Sequence, residues 1–324
     1  MTGPARAVLA LDLGGTKLAA AVVEEPGVLR RRRSEATRAE EGAEDVLRRA
    51  VALAGSVLAE ELGDGGPVGA LGVATMGITR EHGTELAPNV AGWDRLAIPE
   101  ALRQAFPDLE ITIGNDVRAA TLAELRWGAL KGAQTGVYLN LGTGVMAGFV
   151  VDGRVPEGAH GAAGEIGYWL LEGWQDAKLA AEGGAPAEER LGGRAIARRA
   201  SGLFGEPLDL PGLVALAERR SEAAALLEEL WGEIALLAAN LAIALDPEVL
   251  VLGGGYVRSG SSLLGRVAAL VGRAVPYPPQ VELSRYGSDA SLYGAGALGL
   301  GAARFRGAEA LGRGARADGG RSAG

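Results

Sequence analysis

Residues Val8-Leu9-Ala10-Leu11-Asp12-Leu13-Gly14-Gly15-Thr16-Lys17 run as an apolar strand into a glycine turn carrying one carboxylate, one hydroxyl and one ammonium. The same grammar returns at Val137-Tyr138-Leu139-Asn140-Leu141-Gly142-Thr143-Gly144-Val145, an apolar strand with one polar residue, a leucine, then a Gly/Thr turn. The repetition predicts an internal duplication, which restricts the fold more than any other feature of the chain. Glycine has no Cβ, so backbone N–H groups in such turns can approach an anion closely. Two loops of this kind closing on one polyphosphate would imply phosphoryl transfer.

Around the first turn, residues 7–13, 18–23 and 28–34 read as strands in an antiparallel meander. Apolar residues at helical spacing (Val46, Leu47, Ala50, Leu53, Val57, Leu58) predict a helix over 44–62, stopped by Gly63-Asp64-Gly65-Gly66. A strand over 68–74, loops over 75–80 and 88–93, and a short helix over 98–105 lead to a strand over 110–114. That strand ends on Asn115-Asp116, and a helix over 117–127 follows. The second half opens with strands over 135–141 and 145–151, with Asp152-Gly153 as a hairpin turn. A glycine-rich loop over 158–167 and helices over 187–200, 211–219 and 221–245 come next. A strand over 249–252 enters a third glycine turn, Gly253-Gly254-Gly255, before a helix over 261–273, a strand over 281–284 and a helix over 289–304. The Gly/Ala/Arg/Ser tail over 305–324 lacks apolar periodicity and is expected to be disordered.

This alternation predicts an α/β protein of two lobes with an interlobe cleft. The N-terminal lobe would comprise 1–116 plus the returning final helix, and the larger C-terminal lobe 117–288. A length of 324 residues exceeds one ordinary core, which agrees with two lobes. The formal net charge of −8 disfavours a nucleic-acid groove, and the basic run Arg30-Arg31-Arg32-Arg33 is answered by Glu35, Glu40 and Glu41. With no cysteine, disulfides, iron–sulfur clusters and thiolate zinc sites are excluded. The N-terminus carries no charged-then-apolar leader, and the apolar segment 223–245 contains Glu228, Glu229 and Glu233. A cytoplasmic protein without a membrane partner is expected.

Asp12, at the end of an apolar strand, is placed to hold Mg²⁺ directly or through water, while Thr16 and the amides of Gly14 and Gly15 would cradle phosphate. A plain hairpin is the alternative, and it leaves the second copy unexplained. Lys17 is either a phosphate contact or an ordinary surface strand residue. Asp116 reads either as the N-cap of the following helix or as a general base accepting a hydroxyl proton while that oxygen attacks a γ-phosphoryl group. Asn89, Glu165 and Glu188 are candidates for gripping a polyol, because a carboxylate accepts vicinal hydroxyls in pairs. Each is also compatible with an ordinary solvated loop or helix-end residue. Gly77 is taken as a further substrate contact. Trp93 either stacks on a sugar face or packs a lobe edge. Gly254 and Gly255 would let a base or ribose lie against the backbone. His82 and His160 are too few to argue a metal centre or a Ser–His pair.

Together these residues resemble the ROK family of bacterial sugar kinases, within the actin-like ATPase superfamily of duplicated ribonuclease-H-like folds, over about residues 7 to 302. Leu11 to Lys17 is similar to the family's first phosphate loop, and Leu141-Gly142-Thr143-Gly144-Val145 to its second. Gly114-Asn115-Asp116 with Ala119-Ala120 resembles the catalytic segment. The most specific match is Gly158-Ala159-His160-Gly161-Ala162-Ala163-Gly164-Glu165-Ile166-Gly167, the substrate segment, and Asp246 to Gly255 resembles the adenosine-side strand and turn. The resemblance implies ATP- and Mg²⁺-dependent phosphorylation of a hexose, most often glucose at its 6-hydroxyl. Asp116 would be the base, Asn89, Asn115, Glu165 and Glu188 would bind sugar, and the chain would form a homodimer.

Departures from the family pattern are equally informative. Many members follow the glutamate segment with a histidine that joins three cysteines around zinc. Here that position is Tyr168, and 169–190 contain neither Cys nor His, so a zinc-free member is implied. Met146 stands where the second loop usually has a small residue, and Thr75 to Arg80 lacks the usual Pro-Gly-Pro. Only six residues precede the first strand, so the DNA-binding repressor branch is not expected. Met146 and Tyr168 also keep open a non-catalytic sugar sensor, beside a kinase for fructose, mannose or an N-acetyl sugar, or one using polyphosphate.

Overall fold

The structure, a computed structural model, describes residues 7–80, 83–87, 90–259 and 261–301. Of the described residues, those up to Ala119 together with those from Ser291 onward build one compact unit, and those within Ala120–Ala290 the other.

The first unit contains β1 (Ala7–Leu13), β2 (Lys17–Glu24), β3 (Val28–Ala36), α1 (Ala43–Gly63), β4 (Val68–Thr75), β5 (Ile78–Arg80), β6 (Gly83–Glu85), α2 (Ile98–Ala105) and β7 (Glu110–Asn115). Its main sheet has the order β3-β2-β1-β4-β7, antiparallel through the meander and parallel from β1 to β7. Parallel neighbours need crossovers, which α1 and α2 supply. β1 is buried along its whole length, which is why it reads as one apolar run closed by a single carboxylate. The expected loop over 75–80 instead contributes β5, paired with β6 in a small hairpin. Strands of three residues are too short to leave an alternating signature. On the edge strand β3 the basic run is paired with acids of β2, of α1 and of the residue that follows α1. Arg30 meets Glu24 and Glu61, Arg31 meets Glu60, Glu61 and Asp64, and Arg33 meets Glu60. A charged edge of this kind also resists strand addition.

α3 (Asp116–Trp127) leads into the second unit, which contains β8 (Gly136–Leu141), β9 (Val145–Val150), α4 (Pro186–Leu191), α5 (Gly193–Phe204), α6 (Leu210–Ala217), α7 (Ser221–Leu245), β10 (Val249–Gly253), α8 (Ser261–Ala274) and β11 (Gln280–Leu283). The sheet order is β9-β8-β10-β11, with β8–β9 antiparallel and the rest parallel. Among the described residues this repeats the first sheet without its third meander strand; beyond β9 there is one bridge, Val151 to Arg154, around Asp152 and Gly153 at φ 51° and 67°. Two consecutive positive φ values are what a type I′ hairpin turn requires. Glu248 accepts from the amides of Gln134 and Thr135 at 2.7 and 3.0 Å, aligning the starts of β10 and β8. α7 buries Leu230, Trp231 and Ile234 in a core shared with β8 and β10, and stops where Asp246 turns left-handed ahead of Pro247.

The helix expected over 187–200 is two helices broken at Gly192, whose backbone is extended. A Cβ there would lie 2.6 Å from the Glu188 carbonyl oxygen and 3.0 Å from that of Thr143. The break lets the second glycine turn come against the helix pair.

Residues 290–301 form α9, which returns to the first sheet. Its small-residue face lies close on the sheet: a Cβ on Gly72 of β4 would fall 1.8 Å from the Ala295 carbonyl oxygen, and one on Gly296 2.5 Å from the Val23 side chain. The 305–324 tail lies outside the described residues. Among the described residues no helix is long and apolar enough to cross a membrane.

Candidate active site

In the first unit the glycine turn closes on itself. Gly14 N–H donates to the Lys17 carbonyl at 3.1 Å. Thr37, fully buried just after β3, donates its hydroxyl to the Gly14 carbonyl at 2.6 Å and its amide to that of Thr16 at 3.0 Å. Gly14, Gly15 and Lys17 are half-buried and the Thr16 side chain is exposed. Asp12 is buried at the end of β1, and Ser291 of α9 donates to its Oδ2 at 2.7 Å.

The β7–α3 junction separates two roles. Asn115 is the cap: its Oδ1 accepts from the amides of Val117 and Arg118 at 3.0 and 3.1 Å, and its Nδ2 donates to the Gly77 carbonyl at 3.0 Å. The N-cap alternative for Asp116 is thereby overturned, because the preceding amide already serves the free N–H groups. Asp116 is half-exposed at the first helical position, with Oδ1 accepting from the next amide at 2.8 Å. Gly77 has φ 81°, and a Cβ there would meet the Glu85 carbonyl at 2.5 Å. Trp93 does not present a face to ligand; it is fully buried in the first core, its indole N–H on the Thr75 hydroxyl at 3.3 Å. Asn89 lies outside the described residues.

In the second unit, Gly142 N–H donates to the Gly144 carbonyl at 3.0 Å, and Gly193 N–H at the start of α5 donates to the Gly142 carbonyl at 2.8 Å. Glu188 of α4 reaches the same turn, its Oε2 accepting from Val145 N–H at 3.1 Å. A Cβ on Gly144 would lie 2.3 Å from that oxygen. Gly254, at φ 81°, packs on the Leu141 carbonyl, so the third turn abuts the second, with Gly255 exposed beside it. Tyr256 follows, its hydroxyl donating to the Leu191 carbonyl at 2.7 Å. Thr143 is half-buried, and Met146 lies not in the turn but in β9, opposite Asn140.

Glu165 precedes, and Tyr168 ends, a single 3₁₀ turn over Ile166–Tyr168, whose Gly167 packs on the Glu188 side chain. Burial pushes the Glu188 carboxyl above the ordinary range, opposed by the Val145 N–H and by Arg194. Burial likewise raises the Tyr168 phenol, with further increments from Glu165 and Glu188. These groups therefore form one polar cluster beside the second turn. No group of three or more metal-ligating acids or histidines occurs among the described residues.

The family model described as "ROK family" matches residues 8–301. The chain belongs to the ROK family. It is 29% identical over 318 residues to a glucokinase of Aeropyrum pernix, covering 90% of this chain and 96% of that protein. It is 31% identical over 301 residues to an N-acetylmannosamine kinase of Pasteurella multocida, covering 89% and 94%. A ROK hexokinase structure from Thermus thermophilus superposes with a TM-score of 0.76 at 29% identity, covering 92% of this chain and 99% of that one. The expected actin-like ATPase fold is present, and the chain is a sugar kinase.

Within this ROK kinase, several buttressing residues escaped the sequence reading. Thr37 and Ser291 carry no local signal, since each acts on a residue far away in the chain. Gly192-Gly193 did leave one, a glycine pair inside a helical pattern, which marks a break as readily as a tolerated defect.

Proposed function

We propose that this ROK sugar kinase transfers the γ-phosphoryl group of ATP to the 6-hydroxyl of glucose, with Asp116 as general base. The β7–α3 junction carries the reading: Asn115 takes the capping work, and the adjacent carboxylate stays half-exposed at a helix N-terminus. In the step proposed, Asp116 accepts the hydroxyl proton, the sugar oxygen bonds to the γ-phosphorus, and ADP leaves with the electrons of the broken P–O bond.

Asn89, Asn115, Gly77, Glu165 and Glu188 would hold the sugar. Thr16, Lys17 and the amides of Gly14 and Gly15 would meet phosphate, as would Gly142, Thr143 and Gly144, and Gly254 and Gly255 would take the adenosine side. Asp12 fits a Mg²⁺ partner. It is one buried carboxylate oriented by Ser291, and Mg²⁺ typically takes one or two carboxylates and fills its shell with phosphate oxygens and water. When bound, Mg²⁺ would neutralise charge on the phosphates. A homodimer in the cytoplasm completes the proposal; a solution mass of 33.0 kDa would remove the dimer.

The relatives' names leave two acceptor classes, hexoses and N-acetyl sugars, so the test is an ADP-release assay over glucose, fructose, mannose and N-acetylmannosamine, with ATP or polyphosphate as donor. Glucose with ATP should give the highest kcat/KM. Sugar binding with no phosphoryl transfer from either donor would replace the kinase with a sensor.

A further inference from the structure

The second phosphate turn and the polar cluster beside it share one side chain. Glu188 Oε2 holds Val145 N–H at 3.1 Å at the exit of the turn, and Gly144 leaves the room for it. The same side chain packs on Gly167, and its charge is felt by Tyr168 together with that of Glu165. The backbone one turn further on binds the turn as well, through Gly193 N–H to the Gly142 carbonyl at 2.8 Å. The helix break at Gly192 keeps Glu188 and Gly193 on the same turn, so the turn cannot shift without moving the carboxylate.

We propose that Glu188 couples the two substrates: Oε2 sets the phosphate turn while the carboxylate also accepts a sugar hydroxyl, so that bound sugar tightens nucleotide binding. The inference rests on the reading that Glu165 and Glu188 grip sugar, and it adds the link between that grip and the turn. Physically, the carboxylate is penalised by burial and holds one backbone donor. A sugar hydroxyl supplies another, which stabilises the ionised form and the geometry that presents the turn. Coupling of this sort is reciprocal, so nucleotide must tighten sugar by the same factor.

The test is calorimetric titration of the full chain with a β,γ-imido analogue of ATP and Mg²⁺, with and without saturating glucose. In the wild type, glucose should lower the nucleotide Kd by about tenfold. Glu188→Ala should weaken nucleotide binding without sugar by about tenfold and abolish the coupling. Glu188→Gln keeps an oxygen for Val145 N–H, so nucleotide binding alone should stay within about twofold while the coupling falls to about twofold or less. Glu165→Gln is the control, weakening glucose while leaving nucleotide affinity unchanged and the coupling intact once glucose is saturating. No coupling in the wild type, or full coupling in the glutamine variant, overturns the inference. Absence of phosphoryl transfer to every sugar in the panel overturns the kinase reading instead, so the two failures are told apart. Should the alanine variant not fold, the glutamine variant alone decides.

Discussion

The two halves of this kinase share a plan down to single hydrogen bonds and then diverge where chemistry is needed. At the end of β7, Asn115 Oδ1 accepts from the amides two and three residues on, at 3.0 and 3.1 Å. At the end of β11, Ser284 Oγ does the same for Tyr286 and Gly287, at 3.3 and 3.1 Å. The residue after each cap differs in kind. Asp116 in the first half leaves a half-exposed carboxylate, whereas Arg285 in the second donates to the Trp127 carbonyl at 3.0 Å. The glycine turns diverge as well. The first is braced by Thr37, which directly follows the third meander strand. The second sheet ends at β9, and the α4–α5 pair braces its turn instead. Duplication thus supplies two similar frames, and in the second the helices α4 and α5 link the turn to the polar cluster.

The strongest challenge to this contrast is Asp116→Asn. Turnover should fall by on the order of 10²–10⁴, while glucose affinity by calorimetry stays nearly constant. Turnover close to wild type would mean that the half carrying Asp116 is not where the base resides. Next come the matched glycines, Gly77→Ala and Gly254→Ala. Each forces φ near 81° on a residue with a Cβ aimed at a carbonyl oxygen, so urea unfolding should show a loss of about 1–3 kcal/mol apiece. Only the second should weaken nucleotide binding, and equal effects on nucleotide would erase the division of labour.

Thr37→Val removes the brace of the first turn, leaving the Gly14 carbonyl without its hydroxyl donor. A stability loss of about 1–2 kcal/mol is expected by denaturant titration, with the affinity for an ATP analogue measured by calorimetry reporting whether the first turn also meets phosphate, as proposed. Ser291→Ala should raise the Mg²⁺ concentration for half-activation by about threefold and reduce the Tm gain from Mg²⁺-ATP, with Ser291→Thr restoring both. Unchanged Mg²⁺ dependence would detach Asp12 from the metal. The smallest effect concerns pH. Burial raises the Tyr256 pKa above its ordinary 10.0, so past that pH the unfolded chain releases a proton that the folded chain keeps. Stability therefore falls as pH rises, and Tyr256→Phe should show a shallower decline in Tm between about pH 9 and 11.

Local chemistry made much of this legible beforehand. Strand β1 declares itself as an apolar run with one polar residue, Asp12, near its end, β8 repeats the pattern with Asn140, and the Asp152-Gly153 and Asp246-Pro247 stops lie where turn chemistry puts them. What escaped was set by contacts across the chain. The cap fell to Asn115 because its amide also had the Gly77 carbonyl to satisfy, a partner 38 residues away. Trp93 was committed to the core by Thr75, 18 residues earlier. The short pairing of β5 with β6 had no periodicity to announce it.

By itself, the sequence determined the duplicated frame, since apolar runs and Gly/Thr turns act over a few neighbouring residues and leave their period in the chain. The tertiary structure alone decided which side chains brace those turns. Thr37, Ser291 and the Gly192 break earn their roles from atoms brought within about 3 Å by folding, and a hydrogen bond at that range depends on position in space rather than on sequence spacing.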